Sequence, residues 1–382
     1  MKKKPLKMAL IISLCVLLSI AIYFAVVIIY ALASDYKPDL ELDLKVENIQ
    51  ASPELKPDSS EFSILIWNIG YAGLGEQEDF FYDGGTKTRP KKSDYLSYRK
   101  GISDLLEKQN KADFILIQEV DVYSRRTFYD NQLDVLSNVL KDYNYSFAKN
   151  YDVKYVPLPL LNPMGKVNAG MATFSKFKPY KVKRIGFDVN FVWWKRIFML
   201  DRCFIASHYK IGDKELVVMN LHNSAFDDDN ILKPVELQRV KEYATEAYKN
   251  GCYVILGGDW NQNPPKFTPN NYSQEWNVIA FDEEMPSGLM DENWQWVYGK
   301  EIPTQRFLNE PFLKGKTATS LLDYFLVSPN IEVLELKILP DNFKHSDHMP
   351  VLMRFKAKKG ESRKKWTGNR VTKCLTEDSA FR

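Results

Sequence analysis

The sequence predicts an α/β fold in which two packed β-sheets are flanked by outer helices and preceded by one transmembrane helix. One observation is a set of eight short β-rich runs after residue 61, which are too numerous for one small sheet. A second is a set of three amphipathic segments that alternate with those runs. A third is a long apolar run near the N-terminus. Together they place a single large domain behind a membrane segment.

The chain begins with a basic head, residues 1–7, that carries four lysines. Residues 8–33 then form the predicted transmembrane helix, since no charged residue occurs from Met8 to Ser34. An apolar run of about 25 residues spans roughly 38 Å as a helix, which is enough to cross a bilayer with a slight tilt. Lysines before the run and acidic residues after it place the N-terminus in the cytoplasm and the rest of the chain outside it. We therefore expect a single-pass membrane protein with an extracytoplasmic domain.

A cleaved secretory signal is the alternative interpretation of this run. Ala31, Leu32 and Ala33 have the A-x-A form of a cleavage site. The apolar run is longer than the 7–15 residues typical of a signal, which favours an anchor. Both interpretations export the domain that follows.

Three further segments complete the organisation. Residues 34–60 are rich in Asp, Glu, Lys, Pro and Ser and are expected to be a linker between membrane and domain. Residues 61–356 form the predicted domain. Residues 357–382 are a basic tail, which we expect to be solvated and disordered.

The formal net charge of +3 hides an uneven distribution. The first seven residues contribute +4, residues 356–382 contribute +6, and the chain between them contributes −7. This balance argues against a protein that coats nucleic acid, because such proteins bind phosphate through Lys and Arg.

Periodicity places the elements of the domain in order along the chain. The expected strands are residues 62–67, 113–118, 170–174, 202–207, 215–221, 253–256, 322–327 and 351–355. The expected helices are residues 95–109, 132–141 and 231–249. Cys203 and Cys252 lie in apolar, strand-like surroundings, so buried free thiols are expected rather than a disulfide framework.

Polar residues recur where these strands end or begin. Alone, each is more typical of a turn or cap, but the ordered set is specific. The segments are WNIG (67–70), IQEV (117–120), NLH (220–222), GGDWN (257–261), LLDYFLVS (321–328) and HSDHMPV (345–351). In this order they resemble the endonuclease/exonuclease/phosphatase superfamily, which has the deoxyribonuclease-I-like fold. The resemblance implies a four-layer α/β/β/α sandwich of mainly antiparallel or mixed sheets, here in a membrane-anchored member.

The resemblance also implies a metal site. Asn68 and Glu119 would hold a divalent ion, with Asp347 as a further ligand. Hard oxygen ligands of this kind suit Mg²⁺, with Mn²⁺ as a substitute. His345 and His348 form an H-x-x-H pair, but the surrounding oxygen ligands favour Mg²⁺ over zinc.

Five residues would carry the catalytic roles that the resemblance implies. Asp259 would position the attacking water, and Asn261 would donate its amide to the scissile phosphate. His348 would contact the phosphate or act as acid or base, oriented by Asp323. His222 would bond a phosphoryl oxygen or assist proton transfer. The expected activity is a metal-dependent phosphodiesterase or phosphoesterase that uses in-line attack by water.

The substrate stays open between nucleic acid, which would make the protein a nuclease, and a phospholipid headgroup. The context of Asp323 departs from the inositol-polyphosphate phosphatase branch, which weakens that assignment. A catalytically inactive, membrane-tethered binding protein that retains the fold is the alternative. The sequence indicates no protein partner.

Two segments could shape the substrate site. Residues 191–200, FVWWKRIFML, are either a buried strand or hairpin, which we favour, or an exposed aromatic-basic loop that meets lipid headgroups or substrate. Residues 151–161 are expected to be a loop over the site. His208 lies outside every motif and is expected to be a satisfied residue at a strand end.

Overall fold

The computed structural model describes most of the chain. The described residues are 3–48, 53, 55, 61–189, 196–225, 227, 230–281 and 284–358. Residues 191–195 of the aromatic-basic segment and residues 359–382 of the basic tail therefore lie outside it.

The elements follow the predicted order with several additions. The helices are α1 Lys3–Ala33, α2 Lys92–Lys108, α3 Gln132–Val139 and α4 Leu232–Lys249. The strands are β1 Glu41–Asp43, β2 Phe62–Asn68, β3 Phe114–Asp121, β4 Asn144–Val156, β5 Gly165–Ser175, β6 Lys181–Gly186, β7 Cys203–Ile211, β8 Lys214–His222, β9 Tyr253–Asp259, β10 Asn277–Val278, β11 Gln295–Val297, β12 Gln305–Arg306, β13 Ala318–Ser320, β14 Asp323–Val327, β15 Ile331–Ile338 and β16 Val351–Ala357.

Two large mixed sheets organise the domain. One has seven strands in the order β1-β6-β7-β8-β9-β14-β11, and the other has six in the order β15-β16-β2-β3-β5-β4. Within them, β2 runs parallel to β3 and β8 runs parallel to β9, while the other described pairs are antiparallel. A small third sheet joins β10, β13 and β12.

The two large sheets pack face to face through a continuous apolar core. Ile64 and Ile66 of β2 meet Val218 of β8, Ile255 of β9 and Phe325 of β14, all of them buried. Alternate residues of β2 face this core because successive side chains of a strand point to opposite sides. Burying such side chains is the main term that stabilises the sandwich.

Helices cover both outer faces. Ile102 and Leu106 of α2 pack on Leu65 of β2, in a cluster that α3 completes. On the far side, Val240 and Ala244 of α4 belong to a cluster with the outward side chains of the seven-stranded sheet. The layers are therefore helix, sheet, sheet and helix, which confirms the predicted fold class.

A buried polar link ties the two sheets together near one edge. The Gln118 amide donates to Asn220 Oδ1 at 2.7 Å, and Asn220 Nδ2 donates to the carbonyl of Ala172 at 3.1 Å. Both amide side chains are fully buried, where unmatched polar groups would be costly. This bond between Gln118 of IQEV and Asn220 of NLH thus aligns the ends of β3 and β8, which belong to opposite sheets.

The predicted loop at residues 151–161 is wrong over its first half. Strand β4 continues to Val156 and pairs with β5 along most of its length. Pro157 and Pro159 then follow the strand, since proline lacks the amide hydrogen needed for a ladder. Strands β6 and β15 were not predicted either, because the basic residues of β6 and the charged residues of β15 mask the apolar period.

Helix α1 contains the predicted membrane segment. Its part Lys7–Ala33 has a mean hydropathy of 2.9 and is apolar and long enough to cross a membrane. A signal sequence near an N-terminus has the same properties. Within the predicted linker, β1 pairs with β6 at the edge of the seven-stranded sheet.

The cysteines divide into two kinds. Cys203 is a buried free thiol, as expected. Cys252 is instead disulfide-bonded, which corrects the expectation of a free thiol at that position. Patterning could not reveal this, because an apolar strand environment suits a half-cystine as well as a thiol.

Gly258 provides a test of how closely β8 and β9 approach beside the site. Its φ is +143°, and a Cβ atom there would lie 2.1 Å from the carbonyl oxygen of Leu221. We expect Gly258→Ala to lower the free energy of unfolding by about 2–4 kcal/mol, since backbone strain and a clash add. Urea unfolding followed by tryptophan fluorescence measures this change.

The control is Gly288→Ala at an exposed position. A Cβ atom added to Gly288 would meet no other atom within 4 Å, and its φ lies outside the left-handed region. This substitution should therefore leave the free energy of unfolding within about 0.5 kcal/mol of the parent. Equal effects of the two substitutions would show that Gly258 is not constrained in this way.

Candidate active site

The six motif segments converge at one edge of the sandwich. Asn68, His222 and Asp259 are the last residues of β2, β8 and β9. In the strand register, Asp259 lies opposite His222 on one side and Asp323 on the other. Asp323 is instead the first residue of β14 and does not lie at the carboxyl end of a strand. It reaches the same edge because β14 runs antiparallel to β9.

Asp259 is the buried centre of this arrangement. Its Oδ1 accepts a hydrogen bond from the Asn261 backbone amide at 2.9 Å. Its Oδ2 accepts from Asn68 Nδ2 at 3.0 Å and from Asn261 Nδ2 at 3.2 Å. The sharp turn that allows this has Asn261 at a φ of +50°, which asparagine tolerates better than most residues. The Asn261 amide predicted to reach a phosphate also donates to the carbonyl of Asn223 at 2.8 Å.

Glu119 reaches the site through a bulge in β3. The register between β3 and β5 shifts between Ile117 and Val120, and Glu119 has a φ of +56°. A bulge of this kind redirects a side chain that regular pleating would point elsewhere. Glu119 Oε1 then accepts from Asn68 Nδ2 at 3.2 Å.

His348 lies among three buried carboxylates. Its Nδ1 lies 2.7 Å from Asp323 Oδ2, while its Nε2 lies 3.7 Å from Asp259 Oδ2 and 3.8 Å from Asp347 Oδ2. Burial alone would lower the pKa of His348, but the charges of Asp323, Asp259 and Asp347 outweigh it and raise that pKa well above 6.5. The geometry therefore favours an imidazolium whose Nδ1–H is held by Asp323 and whose Nε2–H faces the cleft.

His222 has the opposite electrostatic character. Its Nε2 lies 3.6 Å from Asp259 Oδ2 and 3.7 Å from Glu119 Oε1. Burial, with the charges of Arg202 and His348, lowers the pKa of His222 well below 6.5. The site thus holds one neutral and one protonated imidazole on either side of Asp259.

Buried hydrogen bonds fix the positions of His348 and Asp323. Trp67 Nε1 donates to the His348 carbonyl at 2.9 Å, which ties the last motif to β2. Thr304 Oγ1 accepts from the backbone amide of Asp323 at 3.0 Å. Ser346 donates to the Asn68 carbonyl at 2.8 Å and so links the first motif to the last.

The donor set fits a divalent cation. Burial raises the pKa of Asp347 to about 7, an effect that His348 opposes and that the charge of Glu119 increases. A bound cation would stabilise the ionised carboxylate of Asp347 beside that of Glu119. Asn68 Oδ1 accepts from the Gly70 amide at 3.0 Å while Nδ2 faces the carboxylates, so the Asn68 amide must turn to present oxygen to an ion.

A second acidic group, Asp259, Asp323 and His348, has ligand atoms within 4.8 Å of one another. In this group the hydrogen bond between His348 Nδ1 and Asp323 Oδ2 already uses ligand atoms that an ion would need. Glu119 and Asp347, with Asn68, better match the hard oxygen ligands that Mg²⁺ prefers.

A cavity of about 890 Å³ opens over these residues. Its lining includes polar side chains that the motifs did not indicate, among them Tyr71, Arg202 and Gln305. The Tyr71 hydroxyl is buried without a hydrogen-bond partner, and the Arg126 guanidinium lies 3.6 Å from the centre of the Tyr71 ring. Arg202 Nη1 donates to the His222 carbonyl at 3.2 Å. Of these three residues, only Tyr71 lies close to a motif residue in the sequence, three positions after Asn68. That proximity could have indicated its place in the cavity.

The other histidines lie outside the catalytic group. His345 Nδ1 bonds Asp341 Oδ1 at 2.7 Å, and its ring packs on Gly101 of α2. His208 is buried in the interior of β7, not at a strand end, and its Nε2 lies 2.9 Å from the Tyr243 hydroxyl. His208 Nδ1 is buried without a hydrogen-bond partner, so the expectation of a satisfied residue at a strand end is wrong for His208.

Of the aromatic-basic segment, residues 196–200 are described and form a turn rather than the favoured strand or hairpin. Arg196, Phe198 and Leu200 line the cavity. The described end of the segment is therefore part of the site wall.

The raised pKa of His348 can be tested by titration. In metal-free protein, His348 should stay protonated above pH 6.5, and Asp323→Asn should move its midpoint to lower pH because the nearest negative charge is removed. With only four histidines in the chain, NMR of ring-labelled protein resolves the change. Asp341→Asn is the matched control, since it bonds His345 instead. A His348 midpoint that is the same in both variants would contradict the pairing.

The family model described as Endonuclease/Exonuclease/phosphatase family matches residues 65–348, which is most of the chain. No curated protein matches the chain.

Among solved structures, ANGEL2, a 2′,3′-cyclic phosphatase in complex with adenosine-2′,3′-vanadate, is 17% identical over 83% of this chain and 99% of that chain, with a TM-score of 0.52. An endonuclease/exonuclease/phosphatase from Beutenbergia cavernae is 16% identical over 78% of this chain and 72% of that chain, with a TM-score of 0.49. TDP2 from Caenorhabditis elegans is 14% identical over 78% and 75%, with a TM-score of 0.47.

The likeness to ANGEL2 shows a shared fold. Members of the matching family are phosphoric ester hydrolases and generally depend on a divalent metal. The chain therefore belongs to the endonuclease/exonuclease/phosphatase family.

Proposed function

We propose that this protein is an active, metal-dependent phosphoric ester hydrolase. The observation that carries the proposal is the placement of Asp259 between a neutral His222 and a protonated His348, each within 3.7 Å of its Oδ2. A binding protein that had lost turnover would have no need to keep three buried carboxylates around one imidazole, because such groups are costly to bury.

Each side chain has a step that its surroundings suit. Asp259 orients the attacking water and accepts its proton as the new oxygen–phosphorus bond forms. His348, held by Asp323, presents Nε2–H to the phosphoryl group, where positive charge is most useful in the transition state. As the bond from phosphorus to the leaving oxygen breaks, His222 or His348 assists the transfer of a proton to that oxygen.

Glu119 and Asp347, with Asn68, would hold Mg²⁺, or Mn²⁺ in its place. The ion would neutralise negative charge on the phosphoryl oxygens. Asn261 would donate its amide to the phosphate once the substrate displaces its bond to the Asn223 carbonyl.

The substrate is a phosphate ester of a nucleic acid or of a lipid headgroup. ANGEL2 is described as a phosphatase of cyclic 2′,3′-phosphates, which supports a phosphodiester. Arg184 and Arg202 line the cavity and provide positive charge for a phosphate-bearing ligand.

The protein is proposed to be anchored by α1, with its N-terminus in the cytoplasm and its domain outside. The lysines before the helix and the acidic residues after it support this orientation. The disulfide of Cys252 also supports it, because disulfides persist mainly in oxidising compartments.

Hydrolysis of bis-p-nitrophenyl phosphate by the full chain tests the activity. We expect turnover with Mg²⁺ and none after treatment with EDTA. Asp259→Asn and His348→Ala should each lower kcat by about 10²- to 10⁴-fold, since each removes proton transfer or charge stabilisation from the transition state. His345→Ala, whose ring bonds Asp341 outside the site, should retain activity. No turnover with Mg²⁺, or turnover that neither substitution affects, would favour the inactive alternative.

Reporter fusions test the topology. An alkaline phosphatase fused after the last residue should be active, because that enzyme folds only in an oxidising compartment. Green fluorescent protein at the same position should stay dark. The reverse pattern would place the domain in the cytoplasm.

A further inference from the structure

The connection between β4 and β5 carries an unusual amount of exposed apolar surface. We refer to residues 157–164 as the hairpin tip. Within it, the exposed fractions of Leu158, Leu160 and Leu161 are 47%, 61% and 101%. Single exposed leucines are ordinary on soluble domains, but three within four residues at one loop end indicate a contact surface.

The hairpin tip lies beside the membrane helix. The Tyr155 hydroxyl, at the end of β4, lies 3.2 Å from the hydroxyl of Tyr23 in α1. Val27 and Ala31 of α1 are buried on the same helix. The helix and the end of this hairpin are therefore in direct contact.

The position of that contact along α1 sets its depth. Tyr23 precedes Ala33, the last residue of α1, by ten residues, or about 15 Å of helix. The hydrocarbon core of a bilayer is about 30 Å thick. When α1 spans the membrane, the end of β4 reaches about as deep as the outer leaflet, and the leucines of the hairpin tip follow Tyr155 directly.

The sequence of the tip suits lipid rather than nucleic acid. Residues 157–164 read PLPLLNPM and carry no charge. A nucleic-acid surface would need Lys or Arg to meet phosphates. An uncharged leucine-rich loop next to a spanning helix gains instead from transfer into the bilayer.

The same apolar surface continues into the catalytic cavity. Tyr151 and Met164, from the two arms of the hairpin, pack in one cluster with Phe80, Phe198 and Leu200. All five also line the cavity, whose other end holds the catalytic carboxylates and histidines. The cavity therefore joins a polar catalytic end to an apolar end at the hairpin.

The first residues of the linker after α1 lie on the same side of the cavity as the hairpin tip. Pro38 and Leu40, which follow α1 by five and seven residues, also line the cavity. A chain of that length extends at most about 25 Å, so this wall of the cavity cannot lie far from the membrane surface.

We propose that the hairpin tip inserts into the bilayer beside α1 and holds the apolar end of the catalytic cavity against the membrane, so that the substrate is a phosphate ester of a membrane lipid. The part of the proposal that concerns substrate rests on the proposed hydrolase function. The part that concerns insertion does not.

Insertion is tested on the full chain reconstituted in phosphatidylcholine vesicles. A Cys15→Ser background carries either Leu161→Cys or Tyr180→Cys, each labelled with an environment-sensitive dye. Tyr180 is 46% exposed and lies beyond the opposite end of β5, a strand of 11 residues or about 36 Å. We expect blue-shifted emission and quenching by brominated lipid at position 161 and neither at position 180. Equal behaviour of the two positions would overturn insertion.

The substrate is tested with Leu160→Asp/Leu161→Asp, which lies outside the cavity wall. Hydrolysis of phosphatidylglycerol in mixed phosphatidylethanolamine vesicles should fall at least about tenfold, because a charged tip is expelled from the bilayer. Turnover of soluble bis-p-nitrophenyl phosphate should not change, and this soluble assay also shows whether the double variant is folded.

The outcomes separate the two proposals. Cleavage of DNA or RNA oligonucleotides by the parent protein, with no release of lipid headgroup or phosphate from the vesicles, would overturn the lipid substrate while leaving the hydrolase function intact. Equal lipid hydrolysis by parent and double variant would overturn the role of the tip. Absence of turnover on every substrate, soluble or not, would overturn the hydrolase function and with it the lipid substrate, and dye quenching would still decide insertion.

Discussion

The site depends on the need to compensate three buried carboxylates that surround one imidazole. His348 lies within 3.8 Å of oxygen atoms from Asp259, Asp323 and Asp347. Ionised carboxylates are stable away from water only beside cations or several donors. A protonated His348 supplies one positive charge, the amides of Asn68 and Asn261 supply donors, and a metal ion at Glu119 and Asp347 would supply the rest. The same buried negative charge that makes this edge of the sandwich costly to fold would make it complementary to a phosphate group with its metal ion.

The sandwich brings these groups together from both sheets. Asn68 and Glu119 come from the six-stranded sheet, while His222, Asp259 and Asp323 come from the seven-stranded sheet. The buried Gln118–Asn220 bond and the Trp67–His348 bond connect the parts. Side chains from both sheets therefore meet at this edge, and the distances between them are set by the packing of the core between the sheets.

Much of this was predictable because the motif residues lie beside strongly apolar runs. The eight expected strands and three expected helices all exist, with most strands longer than expected and a few elements one or two residues shorter. Strand β4 escaped prediction because polar side chains such as Asn150 and Asp152 are buried within it, which breaks the apolar alternation. Tyr71, Arg202 and Gln305 entered the site only through folding, since no local pattern distinguishes a cavity wall from an ordinary surface. The bulge that turns Glu119 inward is likewise a property of strand pairing and not of the residues IQEV themselves.

Strand β1 has a consequence for how the enzyme would meet its substrate. It is bonded to β6, and Glu41 also pairs with Lys183 at 2.9 Å, so the chain is fixed to the domain from residue 41 onward. Only residues 34–40 remain between that point and the end of α1. A span of seven residues reaches at most about 25 Å. An anchored enzyme built this way would reach only a thin layer of space next to the bilayer. Its rate of encounter with substrate would follow the surface density of phosphate esters in that layer, not their concentration in the surrounding solution.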